Sequence, residues 1–237
     1  MRSNTAERIC VSLLPRNTHE LGEMVGSALD LGARLIELRL DGLSERDLLV
    51  AAKQLEGLDA RKIVTIRPTR EGGLYAGCEE RRLELLRCVS PTADFVDLEH
   101  DVVYTDSRLV EEIRGLGVKV VYSRHFLGES LGGRELRRIV LEGLRVADIV
   151  KIVNSPAKAS EAVEILALCS EIGFRGRLVA FSMGERWSLT RILSVLLGAP
   201  FTYASLPGRP VAPGQLNFTE AVEALEVLQS SWPSWPF

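Results

Sequence analysis

The sequence predicts an α/β fold, a (β/α)8 TIM barrel formed by residues 1–237 as a single domain, and three observations carry that expectation. Short apolar, β-branched runs alternate with segments of helical periodicity, about 30 residues apart as in repeated βα units. Eight such units fit in 237 residues, the count and length of a closed barrel of parallel strands. The alternative is an open doubly wound sheet, but the first strand-to-helix turn, LLPRNTHE, has no glycine with which to cradle a pyrophosphate.

The first strand is expected at residues 9–14, and Thr18 opens the helical segment HELGEMVGSALDLG. After a strand at 35–41, Ser44 caps ERDLLVAAKQL, with Asp47 three residues on as the acid of a capping box. Strands at 62–67 and 95–99 are followed by helices at 79–89 and 106–115. The last four strands, at 118–123, 148–153, 178–183 and 201–205, alternate with helices at 132–144, 158–172, 188–197 and 219–228. Strict alternation requires parallel strands joined by crossover helices.

Composition narrows the function classes. Twenty-nine basic and thirty-two acidic side chains leave a formal charge of −3, which gives no electrostatic case for a nucleic-acid partner. No apolar run approaches the roughly 20 residues of a membrane span, and MRSNTAERIC lacks the apolar stretch of a secretory signal. Cys10, Cys78, Cys88 and Cys169 form no C-x-x-C pair and read as reduced thiols. A soluble, cytoplasmic protein without membrane or nucleic-acid partners is expected.

Chemistry in such a barrel sits at the C-terminal ends of the strands. There the runs turn polar: Ser12; Glu37, Arg39 and Asp41; Arg67; Asp97, Glu99 and His100; Ser123, Arg124 and His125; Lys151 and Asn154; Ser182 and Met183; Ser205. Lys151 lies in DIVKIVN, inside a strand expected to be buried on both faces. A desolvated ammonium loses its proton more readily, which exposes a lone pair for attack on a carbonyl. The competing reading is a lysine paired with Glu99 or Glu37. Lys119 has similar neighbours but opens its strand, which places it at the opposite end of the barrel.

Of three histidines, His19 reads as a surface residue at a helix start, while His100 and His125 follow strands and are expected to face the site. One of them suits proton transfer near neutrality. A rival account makes Glu37, Asp97, Glu99, His100 and His125 metal ligands, although no H-E-x-x-H motif is present. RPTREGG and RPVAPGQLN read either as lids over a ligand or as ordinary turns. Arg191 is either an anion-binding arginine or one of many at the surface.

Taken in order, ICVSL, IELRLD, TIRPTREGG, VDLE, the His125 segment, ADIVKIVNSP, FSMG, TRIL and APGQL resemble the type I 3-dehydroquinate dehydratases. The resemblance implies a barrel, usually a homodimer, that dehydrates 3-dehydroquinate to 3-dehydroshikimate through a lysine Schiff base without metal or organic cofactor. It makes Lys151 the Schiff-base lysine, His125 the acid/base histidine and Glu71 the carboxylate that tunes it. It makes Arg191 the ligand of the substrate carboxylate. Glu37, Arg39, Arg67 and Gln215 bind ring hydroxyls or close the site, and Ser12 and Met183 line it. Two departures stand out: the chain is one residue shorter after His125, and Val211 replaces a lid serine whose hydroxyl Ser205 is a candidate to supply. Other readings are a class I aldolase or transaldolase, a metal-dependent sugar isomerase, or a non-catalytic carboxylate-binding protein.

Overall fold

In a computed structural model, which describes residues 5–128 and 131–231, the eight apolar runs become eight strands. The termini of the expected 1–237 domain, and part of the loop after His125, lie outside the described residues. The order is β1 (Ile9–Leu13), α1 (Thr18–Asp30), β2 (Leu35–Arg39), α2 (Glu45–Gln54), β3 (Arg61–Thr65), α3 (Glu79–Val89) and β4 (Phe95–Glu99). Then come α4 (His100–Thr105), α5 (Ser107–Gly115), β5 (Lys119–His125), α6 (Gly133–Val146) and β6 (Ile149–Asn154). The chain ends with α7 (Ala159–Cys169), β7 (Leu178–Ser182), α8 (Thr190–Leu197), β8 (Thr202–Ser205) and α9 (Phe218–Ser231).

All ladders are parallel, in the order β7-β6-β5-β4-β3-β2-β1-β8, so the sheet curls into a nearly closed barrel. Among the described residues no ladder joins β7 to β8; there Phe181 and Tyr203 meet inside, ring centroids 6.2 Å apart.

The period-two alternation of strands divides the buried residues into two sets. Val11, Ile36, Leu38, Val64, Val96, Val120, Val150 and Ala180 face outward into a large apolar layer shared with the helices. Cys10, Leu35, Ile63, Phe95, Val121, Ile149 and Val179 fill the barrel interior. Two residues further along these strands the interior positions become Ser12, Glu37, Thr65, Asp97, Ser123, Lys151 and Phe181. The register aligns Ser12 with Glu37 and Ser123 with Lys151. An apolar plug therefore supports a polar layer, and that layer is the floor of the site.

Several boundaries differ from expectation for local reasons. Asn17, not Thr18, caps α1, its Oδ1 accepting the Glu20 N–H at 2.9 Å. Ser44 caps α2 as expected. The segment after β4 contains α4 as well as the expected helix, because Asp106 leaves helical geometry and caps α5 through the Leu109 N–H. The ladder carries β5 on to His125, and β3 ends at Thr65, so Arg67 lies just beyond its strand.

Candidate active site

The polar layer closes into one chain of ion pairs. Arg67, 2% exposed, places Nη1 2.7 Å from Glu99 Oε1 and Nη2 2.7 Å from Asp97 Oδ1. Its Nη1 also donates to Ser123 Oγ at 2.8 Å and lies 3.6 Å from Glu71. Behind it Arg82, fully buried on α3, contacts Glu99 Oε2 at 2.8 Å and donates to the Ile66 carbonyl at 2.7 Å. Desolvating each ion costs several kcal/mol, about the size of effect that only close, multiple pairing offsets. Burial works against the Arg67 charge, but Asp97, Glu99 and Glu71 outweigh it and raise its pKa. Against the same burial, Arg67 and then Lys151 hold the Asp97 carboxyl well below the usual range.

Lys151 sits on this floor. Its Nζ is 3.2 Å from Asp97 Oδ2, 3.5 Å from Glu37 Oε1 and 4.2 Å from the centroid of the Tyr203 ring. The lysine is paired, with Glu37 as one expected partner and Asp97 rather than Glu99 as the other. Glu37 in turn accepts the hydroxyls of Ser12 at 2.7 Å and Thr65 at 3.1 Å. Lys119, at the start of β5, is exposed and stands over the Phe95 ring.

His125 Nδ1 bonds Glu71 Oε2 at 2.8 Å. Burial, then the charges of Arg67 and Lys151, push the imidazole well below the usual histidine range. Burial likewise pushes Glu71 up to about 7, although Arg67 opposes it. A neutral imidazole whose Nδ1 is engaged leaves Nε2 as a base.

The loop that carries Glu71 is pinned by backbone hydrogen bonds, which favours the ordinary turn of its two readings. Thr69 N–H bonds the Tyr75 carbonyl at 3.1 Å and Tyr75 N–H bonds the Arg67 carbonyl at 3.2 Å. A Cβ at Gly73 would lie 2.0 Å from that Arg67 carbonyl, so only glycine fits there. The segment between β8 and α9 does cover the cavity. Gly214, at φ 69°, passes so close to the Gly184 carbonyl that a Cβ would stand 2.2 Å from it. Gln215 Oε1 accepts the Val211 N–H at 2.9 Å, which ties this cover to itself. The Ser205 hydroxyl points to the Leu216 carbonyl, 3.5 Å away.

Together these groups line one concave pocket of mixed polar and apolar walls, as small-molecule sites are. Ser12, Glu37, Arg39, His125, Lys151, Met183, Arg191 and Gln215 all line it. Glu71 and Arg67 are not among the side chains that line it; Arg67 stands just outside, against Asp97, Glu99 and Glu71. Arg39 is held by a bidentate pair with Asp41, both contacts 2.8 Å. Arg191 has no carboxylate partner among the described residues. Its guanidinium stacks 4.2 Å from the Phe181 centroid and touches the Pro213 and Gly214 carbonyls, and burial lowers its pKa to about 10. A buried, charged fork that lines a cavity without an acid beside it has the chemistry to receive an anion.

His100 does not face the site. The chain turns into α4 at that residue, and its Nδ1 bonds the hydroxyl of Tyr122, which belongs to the outer apolar layer. His19 is exposed, as expected. Among the described residues no group of three or more His, Cys, Asp or Glu side chains is placed to hold a metal; Glu37, Asp97 and Glu99 face Lys151, Arg67 and Arg82 instead. Sequence reasoning missed Val153, Phe181, Tyr203 and Ala212 as cavity-lining groups, because nothing in an apolar residue's type distinguishes a wall from a core. Only the two-residue offset from Lys151 and Met183 marks Val153 and Phe181.

Comparison with known proteins places this geometry in context. The family model for type I 3-dehydroquinase matches residues 9–231. A 3-dehydroquinate dehydratase of Methanopyrus kandleri is 34% identical over 93% of this chain and 99% of its own length. That of Methanothermobacter thermautotrophicus is 33% identical over 89% of this chain and 92% of its own. In fold, the chain resembles a crystal structure of type I 3-dehydroquinate dehydratase from Clostridium difficile with covalently modified comenic acid. The TM-score is 0.86 at 20% identity, covering 95% of this chain and 93% of that one.

Arg67→Met tests the energetics of the floor. It leaves Asp97 and Glu99 without their shared cation, and denaturant unfolding at neutral pH should show a loss of about 3–5 kcal/mol. The Asp97 pKa is depressed in the folded wild type, so its stabilisation is present above about pH 4 and fades as pH falls further. In the variant the unpaired acids take protons more readily, so the deficit should narrow toward acid. A deficit that stays constant from about pH 7 to pH 4 contradicts this assignment.

Proposed function

The chain belongs to the type I 3-dehydroquinase family and is a hydro-lyase that dehydrates 3-dehydroquinate in the shikimate pathway, and from that premise we propose that Lys151, His125 and Glu71 carry the chemistry. One observation supports the reading above all: a buried amine on the cavity floor, with a neutral imidazole lining the same cavity.

Lys151 condenses with the C3 ketone, and the resulting iminium is an electron sink for the neighbouring carbon. His125 Nε2 removes a proton from C2, giving an enamine, and returns it to the departing C1 hydroxyl, which leaves as water. Hydrolysis of the product imine frees 3-dehydroshikimate and restores the lysine. Glu71 accepts a hydrogen bond from Nδ1–H and so keeps Nε2 unprotonated for the first transfer. Arg191 takes the substrate carboxylate; Glu37, Arg39 and Gln215 face the ring hydroxyls, with Ser12 and Met183 completing the walls. Arg67 serves from behind, holding Asp97 ionised and Glu71 in place. The residues 1–237 are read as one catalytic domain, working as a homodimer in the cytoplasm; the family resemblance supports this. No helix among the described residues is long and apolar enough to cross a membrane.

The activity is tested by incubating the protein with 3-dehydroquinate and following the ultraviolet absorbance of the conjugated product. No gain between about pH 6 and 9 contradicts the proposal. Lys151→Ala should abolish turnover and borohydride-trapped adduct together. His125→Ala should still trap adduct while kcat falls by about 10²-fold or more. An adduct-free His125→Ala would merge the two roles.

Glu71 sets the acid limb. Below about 7 it gains a proton and donates it to Nδ1, sending the imidazole's own proton to Nε2 and removing the base. Wild-type kcat should therefore fall as pH drops through about 7. In Glu71→Gln that limb should vanish, with kcat about 10-fold lower on the plateau. Superposable profiles would assign the limb elsewhere. Arg191→Ala should raise KM about 10–100-fold, and Arg191→Lys should recover only part, lacking the planar fork. An unchanged KM would remove Arg191 from the site.

A further inference from the structure

Lys151 Nζ has two carboxylate neighbours, and they are held differently. Asp97 Oδ2 lies 3.2 Å away, while Oδ1 of the same group lies in ion-pair contact 2.7 Å from Arg67 Nη2 and accepts the Ser123 hydroxyl at 2.5 Å. Glu37 Oε1 lies 3.5 Å away, and among the described residues that carboxylate otherwise receives the neutral hydroxyls of Ser12 and Thr65. Glu37 lines the cavity; Asp97, fully buried, does not.

Condensation changes what the nitrogen can bond. An ammonium, R–NH3+, and a ketone, O=C, give an iminium, R–NH+=C, and one water. Two N–H hydrogens leave with the ketone oxygen, and the positive charge stays on nitrogen. One N–H remains, so only one of the two carboxylates can keep its hydrogen bond. We propose that Asp97 is that partner, a catalytic residue acting as the fixed counter-ion of the iminium, while Glu37 releases the nitrogen and turns to the substrate.

The inference rests on the Schiff-base reading above and deepens it. A carboxylate clamped by an arginine and a hydroxyl cannot rotate away when the lysine is modified, whereas Glu37 has no such clamp. A preorganised anion beside a charge in a low-dielectric interior needs no reorganisation when that charge forms. The Tyr203 face, 4.2 Å from Nζ, adds a second attraction for the same cation. An imine that lost its proton would be a far weaker electron sink, so this contact keeps the intermediate reactive.

Rapid borohydride trapping with 3-dehydroquinate reads this directly, because hydride adds to an iminium in preference to a neutral imine. In Asp97→Asn the trapping rate should fall about 10²-fold while KM changes less than about threefold, and Asp97→Glu should recover part of the loss. Where thermal melting shows that Asp97→Asn does not fold, Ser123→Ala replaces it. That change removes one donor to Asp97 and no charge, and should slow trapping about 3–10-fold. Wild-type trapping rates in whichever of these variants is folded overturn the proposal, as does a larger loss in Glu37→Gln than in Asp97→Asn. Wild-type protein that traps nothing instead sinks the Schiff-base reading itself.

Discussion

Arg67 contacts Asp97 and Glu99 at 2.7 Å each, in a part of the barrel where all three side chains are 2% exposed or less. Without that guanidinium two carboxylates would face each other in a poorly solvated interior, and at least one would take a proton. With it, Asp97 stays ionised beside Lys151, and Arg82 completes the compensation from the helix layer. Glu71 lies at the same arginine's edge, 3.6 Å away, so the charge that steadies the lysine also bears on the histidine pair. Lys151 and His125 are thus tied, each through one carboxylate, to a single buried cation.

The barrel makes this arrangement possible by repetition. Parallel strands bring residues from distant parts of the chain to one level, and the interior face changes from apolar to polar within two residues on most strands. The apolar plug below resists collapse of the charged layer, since moving an ion downward would desolvate it further. The cover between β8 and α9 then closes the top, its carbonyls resting on Arg191.

Much of this was legible because few sequence patterns place charges inside runs such as IELRL and DIVKIV. Strand order, the polar strand ends, Lys151 and the Ser44 cap follow from periodicity and burial cost alone. The resemblance adds roles for His125, Glu71 and Arg191 that spacing does not contain. What periodicity could not decide is direction once a strand ends. Asp41 and His100 look like Glu37 and His125 in the sequence, yet Asp41 is taken by Arg39, and His100 leaves the barrel with the first turn of α4. Arg82 was hidden for another reason: in EERRLELL it reads as one charge of a solvated helix face, and only the tertiary fold buries it against Glu99. Tyr203 is apolar by pattern, and its place beneath the lysine depends on the barrel seam.

The account stands on the claim that the Lys151 nitrogen is the covalent centre. Borohydride reduction in the presence of 3-dehydroquinate, followed by digestion and mass spectrometry of the peptides, tests it most directly. The reduced substrate should be found on the Lys151 side chain, located by fragmentation of its peptide, and not on Lys53, Lys62, Lys119 or Lys158. An adduct on one of those lysines, or turnover with no adduct on any, would contradict it.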